Sequence, residues 1–159
     1  MSNIILVVKM AELLDRTDKM LLEELKKNAR ENIAALSKKL GIPRTTVHYR
    51  IKRLLEEGII EKFTIKPNYK KLNLGTTAFV LIRYDPDSGL TQKEVAEQIA
   101  KIPGVYEVHI VAGEWDILLK VRAANAEEVG KIVIEKLREI KGVGQTVTMV
   151  SFVTIKEEI

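Results

Sequence analysis

The sequence predicts an α+β fold in two unlike domains, and three observations carry that prediction. Apolar residues recur at helical spacing from Thr17 to Leu55, the pattern of short amphipathic helices. From Thr77 onward, strand-like and helix-like runs follow in the order β-α-β-β-α-β, the order of a ferredoxin-like half-sandwich. Charge divides at the same place. Residues 15–70 carry 14 Lys and Arg against 8 Asp and Glu, a balance of +6, whereas residues 71–159 carry 11 against 13, a balance of −2. A basic first half on a mildly acidic second half suggests that one half meets a polyanion and the other does not.

The first half divides into three helices. Thr17 to Leu25 places Met20, Leu21, Leu22 and Leu25 at helical spacing, and "KKNAR" ends the run. Asp15 or Thr17 is suited to cap its start, because a short side-chain oxygen can accept from the first free helix amides. "ENIAALSKKLG" reads as a second short helix with Ile33, Leu36 and Leu40 on one face, and Gly41 stands where a left-handed C-cap is expected. Pro43 stops that helix and can begin the next, since its missing N–H costs nothing in a first turn. The third helix is predicted over about residues 44–57, with Val47, Ile51, Leu54 and Leu55 at i, i+4, i+7 and i+8. "IIEKFTIKPN" then alternates like a strand. The expected domains are an N-terminal extension at 1–14, a helical domain at 15–62, a linker strand at 63–76 and a second domain at 77–159. Within the extension, "NIILVVK" would add a strand, unless Met10 is the true start.

The second half opens with "TTAFVLIRY", a nearly continuous apolar strand. "LTQKEVAEQIAKIPG" is an amphipathic helix with Val95, Ile99 and Ile102 inward, halted by Pro103-Gly104. "VYEVHIVAG" and "DILLKVRA" are strands joined through Gly113-Glu114-Trp115. "NAEEVGKIVIEKLREIKG" is the second helix, with Asn125 as N-cap and Gly142 at its end, and "TVTMVSFVTI" is the last strand. Both helices of such a unit cover one face of the sheet, yet these strands are apolar on both alternating faces. A bare apolar sheet face is rare in soluble monomers. The expectation is a homodimer through this sheet, with higher assemblies beyond it.

Composition excludes several classes. The chain has 159 residues and no cysteine, so disulfides, thiolate zinc sites and cysteine nucleophiles are ruled out. A cytoplasmic address is the default for such a chain. No run approaches the ~18 apolar residues of a membrane span, and the "NIILVV" run is too short for a signal-peptide core. The two histidines, His48 and His109, are far apart in sequence. No metal-ligand spacing, paired-carboxylate site or phosphate-binding glycine motif is present. No catalytic residue, metal or cofactor is expected.

The segment "GIPRTTVHYRIKRL" carries the sharpest functional signal. Arg44, Arg50, Lys52 and Arg53 stand in it without an acid. A solvated helix face usually mixes Lys with Glu at i+4; this one mixes arginine with hydroxyls and a tyrosine, groups suited to base edges and phosphates. It follows a short helix and a Gly-containing turn, the helix-turn-helix layout whose second helix enters the major groove of DNA. On that geometry Arg44, Thr45, Thr46 and Tyr49 lie nearest base edges with His48 at the margin. Arg50, Lys52 and Arg53 would reach phosphates, joined by Lys38 and Lys39.

The blocks "LDRTDKMLLEELKKNAR", "IAALSKKLGIPRTTVHYRIKRLLEEGIIEKFTIKPNYKKLNLG", "VAGEWDILLKVRA" and "IKGVGQTVTMV" together resemble the Lrp/AsnC family of bacterial and archaeal transcription regulators. The resemblance runs from Leu14 to about Ile155. It implies a winged or simple helix-turn-helix, a linker strand and a C-terminal αβ sandwich (the RAM domain) whose sheets pair into dimers that assemble further, commonly to octamers. It also implies a small effector, usually an amino acid, bound near a Gly-x-x-Asp turn and the last strand. Carried onto this chain, the candidate contacts are Gly113, Glu114, Asp116, Thr146 and Thr148. The chain departs from the family at Pro43, where a capping Ser is common; Thr45 or Thr46 would have to take over part of that role. The expected function is a sequence-specific, effector-responsive regulator. The rivals are an architectural DNA-coating protein without effector and, with less support, an amino-acid-binding enzyme.

Overall fold

The structure is a computed structural model and describes residues 14–157. The strand considered for "NIILVVK" and nearly all of the 1–14 extension lie outside these residues. The chain divides into two compact units at the Lys66–Pro67 bond.

The first unit is built from α1 (Arg16–Lys27), α2 (Ile33–Leu40) and α3 (Arg44–Glu56). Asp15 caps α1 in a reciprocal box with Asp18: each side chain accepts from the other's backbone N–H. Asn32 caps α2 by accepting from the Ala35 N–H. Leu21 and Leu25 of α1, Leu36 of α2, and Val47 and Leu54 of α3 form the buried core, bordered by Ile33, Leu40, Ile51, Ile59 and Ile60. Met20 and Leu55, expected to face inward, stand 42% and 38% exposed at its margin.

Residues 61–68, most of the segment expected as a strand, make no strand pairing. An isolated strand has no internal hydrogen bonds to hold it and needs a partner edge, and residues 61–68 pair with no strand among the described residues. The predicted linker strand at 63–76 is likewise not formed within the chain. Its middle is a turn, in which the Leu74 N–H donates to the Tyr69 carbonyl at 2.8 Å.

The second unit holds β1 (Thr76–Tyr84), α4 (Gln92–Ile99), β2 (Val105–Ile110), β3 (Ile117–Ala123), α5 (Ala126–Lys131) and β4 (Val143–Ser151). The sheet order is β2-β3-β1-β4, with every neighbour antiparallel. This is the predicted β-α-β-β-α-β arrangement. Thr91 and Asn125 cap the two helices. The second helix differs from a regular one: after α5 its hydrogen bonding widens into a π-helical segment over Ile132–Leu137, seen in the Arg138 N–H donating to the Val133 carbonyl. The widening begins at the run Ile132-Val133-Ile134, whose branched side chains crowd a regular helix.

Alternation along the strands divides the sheet into two faces. Ala78, Val80 and Ile82 of β1 and Ile117, Leu119, Val121 and Ala123 of β3 face the helices and are buried against Val95, Ile99, Val129, Val133 and Leu137. The other face presents Phe79, Leu81, Leu118, Val147 and Met149. Phe79 stands directly opposite Met149, and Leu81 is flanked by Val147 and Leu118. Phe79, Val147 and Met149 are 36%, 37% and 45% exposed.

Candidate nucleic-acid and ligand interfaces

The turn before α3 is shaped by backbone chemistry. Gly41 takes a left-handed conformation, φ +67°, and its N–H donates to the Ser37 carbonyl. The Ser37 hydroxyl in turn donates to the Ile42 carbonyl. Pro43 is the residue that precedes the first turn of α3, in extended conformation, and no side chain caps the helix. Thr45 and Thr46 therefore do not replace a capping serine. Pro43 contributes instead by its fixed φ of −57° and by its carbonyl, which accepts the Val47 N–H.

With Val47 and Leu54 fully buried, the opposite side of α3 presents Arg44, Thr45, His48, Tyr49 and Lys52 to solvent. Those positions run i, i+1, i+4, i+5 and i+8, one continuous helix face. Tyr49 is 64% exposed. Thr46 is half-buried at the edge of this face. Lys52 approaches Glu56 at 3.6 Å, but both side chains stay well exposed. Lys38, on α2, is exposed. Lys39 is held between Glu24 and Glu31, at 3.1 and 3.0 Å. The hydrogen bonds to Glu31 and then Glu24 raise its pKa.

Arg50 and Arg53, expected to reach phosphates, are held elsewhere. Arg50 lies 2.8 Å from Asp18 Oδ1 and 2.7 Å from Asp15 Oδ2. Arg53 reaches Asp18 Oδ2 at 2.6 Å. The Asp18 side chain is only 1% exposed, so both guanidiniums close over a buried carboxylate. Hydrogen bonds to Asp18 and then Asp15 raise the Arg50 pKa further above its ordinary value. The pKa of Asp15 is lowered, first by the Asp18 backbone N–H and then by Arg50. The sequence signal for this arrangement was the Asp-x-x-Asp at the start of α1; what it pairs with is visible only in the fold.

In the second unit the turn between β2 and β3 is anchored by Asp116. Its backbone N–H donates to the Ile82 carbonyl, its carbonyl accepts from the Val111 N–H, and Oδ2 accepts the Tyr84 N–H at 2.9 Å. Gln92 of α4 donates to the same Asp116 carbonyl. Thr146 pairs with Ile82 from the other side of β1, so Asp116 and Thr146 flank one point of that strand. Thr148 lies two pairs further along, on the same face, opposite Val80 and exposed. Gly113 has φ +137°. The Glu114 carboxylate is bonded to Arg83 at 3.0 Å, and Arg83 also lies over the Trp115 ring.

A second polar cluster was not foreseen. Arg122 is 7% exposed, donates to Thr77 Oγ1 at 3.0 Å and grips both oxygens of Glu157 at 2.6 and 2.7 Å. Lys120 bonds to Glu107 and to Glu157. Among the described residues no three His, Asp or Glu side chains come together as a metal site. No described helix is long and apolar enough to cross a membrane.

Comparison with known proteins agrees with this geometry. Residues 14–61 match a family described as winged helix-turn-helix DNA-binding, and residues 77–159 match the Lrp/AsnC ligand binding domain. A relative from Pyrococcus horikoshii, described as an uncharacterized HTH-type transcriptional regulator, is 87% identical over 94% of this chain and 100% of its own length. An HTH-type transcriptional regulator from Pyrococcus furiosus is 35% identical over 93% of this chain and 95% of its own. Among solved structures, a transcriptional regulator from Neisseria meningitidis in complex with L-Met matches with a TM-score of 0.85 at 24% identity, covering 91% of this chain and 94% of that one. At that identity the likeness is one of fold. These relatives are regulators, not enzymes. The chain belongs to the Lrp/AsnC family of transcriptional regulators, with an N-terminal helix-turn-helix DNA-binding domain and a C-terminal ligand-binding domain.

Proposed function

We propose that this regulator is sequence-specific and reads the major groove with the exposed face of α3. The observation that carries the reading is that Arg44, Thr45, His48, Tyr49 and Lys52 share one solvent-facing side of that helix. Arg44 and Thr45 stand in its first turn, the end that enters the groove in helix-turn-helix proteins. Thr46 borders the face. Lys52 and Lys38 supply phosphate contacts, which set affinity and its salt dependence rather than sequence preference. Lys39 plays a smaller part, since Glu24 and Glu31 already hold it.

The copies that a palindromic site needs come from pairing of the open sheet face. Phe79, Leu81, Leu118, Val147 and Met149 make an apolar surface suited to a second copy of the chain, and larger assemblies such as an octamer build on that dimer. The regulator works in the cytoplasm. Its effector is an amino acid held near Gly113, Asp116, Thr146 and Thr148. Asp116 has one carboxylate oxygen engaged by Tyr84 and a second that can take an ammonium group. The threonine hydroxyls can donate to a carboxylate. Glu114 contributes only after leaving Arg83.

The test is selection of bound duplexes from a random pool, with and without each amino acid, followed by footprinting. A few palindromic sites with half-site centres ~34–36 Å apart, or a multiple of that, support the reading. Uniform coating of DNA, unchanged by every amino acid, would sink it in favour of an architectural role.

A further inference from the structure

We propose that Asp18 is a positioning residue for DNA reading: it holds α3 against α1 through Arg50 and Arg53 and removes both guanidiniums from the phosphate-binding set. The proposal rests on the DNA-binding reading of α3. Four basic residues lie on α3, namely Arg44, Arg50, Lys52 and Arg53. Two of them point to Asp18, each on a different carboxylate oxygen, at 2.8 and 2.6 Å. Asp15 adds a second acceptor for Arg50 at 2.7 Å. The carboxylate is almost wholly buried, and both of its oxygens are engaged.

Such a site does two things. Two charge-assisted bonds from successive turns of α3 to one point on α1 fix both the rotation and the translation of the helix, so its outer side chains meet base edges in one register. The same bonds neutralise charge that would otherwise attract any DNA. Sequence-blind attraction grows with each phosphate neutralised, whereas discrimination comes from base-edge contacts. Withdrawing two arginines therefore lowers the background against which Arg44, Thr45 and Tyr49 discriminate. The Arg53 side chain is half-buried, and its Nε is enclosed and lies 3.8 Å from Glu57, so the guanidinium is turned toward α1 and the end of its own helix.

The experiment compares the full-length wild-type chain with Asp18→Asn on two duplexes, one recovered by random-pool selection and a scrambled version of it, over a range of KCl concentrations. On the scrambled duplex, Asp18→Asn should steepen the dependence of log K on log salt by about 1, as a released guanidinium gains a phosphate. The preference for the selected duplex should fall about tenfold. A merely structural role would weaken both duplexes in parallel and leave the slope alone, and that result overturns the proposal. If Asp18→Asn does not fold, Arg53→Gln decides. An unchanged slope supports the proposal, with Lys38→Gln as the reference that loses about 0.9. A loss of about 0.9 with Arg53→Gln makes Arg53 a phosphate contact and overturns it. Absence of salt-dependent binding by the wild-type chain sinks the DNA reading itself, and the role of Asp18 with it.

Discussion

The Arg122 guanidinium lies 3.9 Å from the centroid of the Tyr69 ring. Tyr69 belongs to the turn that precedes β1, and Arg122 to β3. Tyr106 of β2 meets Tyr69 edge-on at 5.3 Å, and Glu157 beyond β4 closes on Arg122 from the far end of the chain. One arginine thus ties four separate segments of the ligand-binding domain through a stacked ring and a bidentate carboxylate.

Arg122→Ala should therefore destabilise this domain. Removing one partner of a buried ion pair costs about 3–5 kcal/mol. The low end is expected here, because Glu157 keeps some solvent access and retains Lys120. Urea unfolding should show the loss, and Tyr69→Phe, which keeps the ring, should show little of it.

Stability should fall in acid through the same cluster. Hydrogen bonds from Lys120 hold the Glu107 and Glu157 carboxyls below the ordinary glutamate value of 4.5. The unfolded chain then binds protons before the folded one does. Their contribution is complete above pH 4.5 and is lost as pH falls through the depressed folded values. Unfolding measured across the acid range should flatten in Lys120→Gln.

Two glycines should differ under the same substitution. Gly41→Ala meets open space and carries only the left-handed backbone strain of about 1–2 kcal/mol. Gly142→Ala adds a methyl group 2.6 Å from Val95 Cγ2 to a similar strain at φ +94°. Thermal unfolding should show a clearly larger shift for Gly142→Ala.

The open sheet face predicts an assembly variant. Met149→Lys places a charge opposite Phe79 on the apolar surface. Sedimentation should show smaller species than wild type, with helix and strand content retained. Unchanged assembly would mean that copies associate through another surface.

On α3, Arg44→Ala should change which duplexes are recovered from a random pool, with a bidentate arginine–guanine contact worth about 1–3 kcal/mol of discrimination. Lys38→Ala should weaken binding to all duplexes without changing their order. Equal behaviour of the two variants would refute the division between base and phosphate contacts.

The sequence by itself determined the elements and their faces. Helical spacing placed Val47, Ile51 and Leu54 inward, and period-two alternation marked both faces of β1 as apolar, because these signals are local to one helix or one strand. The strand expected near residues 59–68 failed for the complementary reason, since a strand is completed by a partner edge that no local pattern specifies. Tertiary structure alone decided the partners of the charges. Arg50 and Arg53 read as a DNA-facing charge run, but they meet Asp18 from 32 and 35 residues away. Arg122 meets Glu157 across another 35. A charge can be solvated, paired or bound to a phosphate with the same sequence around it, and only the packing of α1 on α3, or of the chain's end on β3, selects among these.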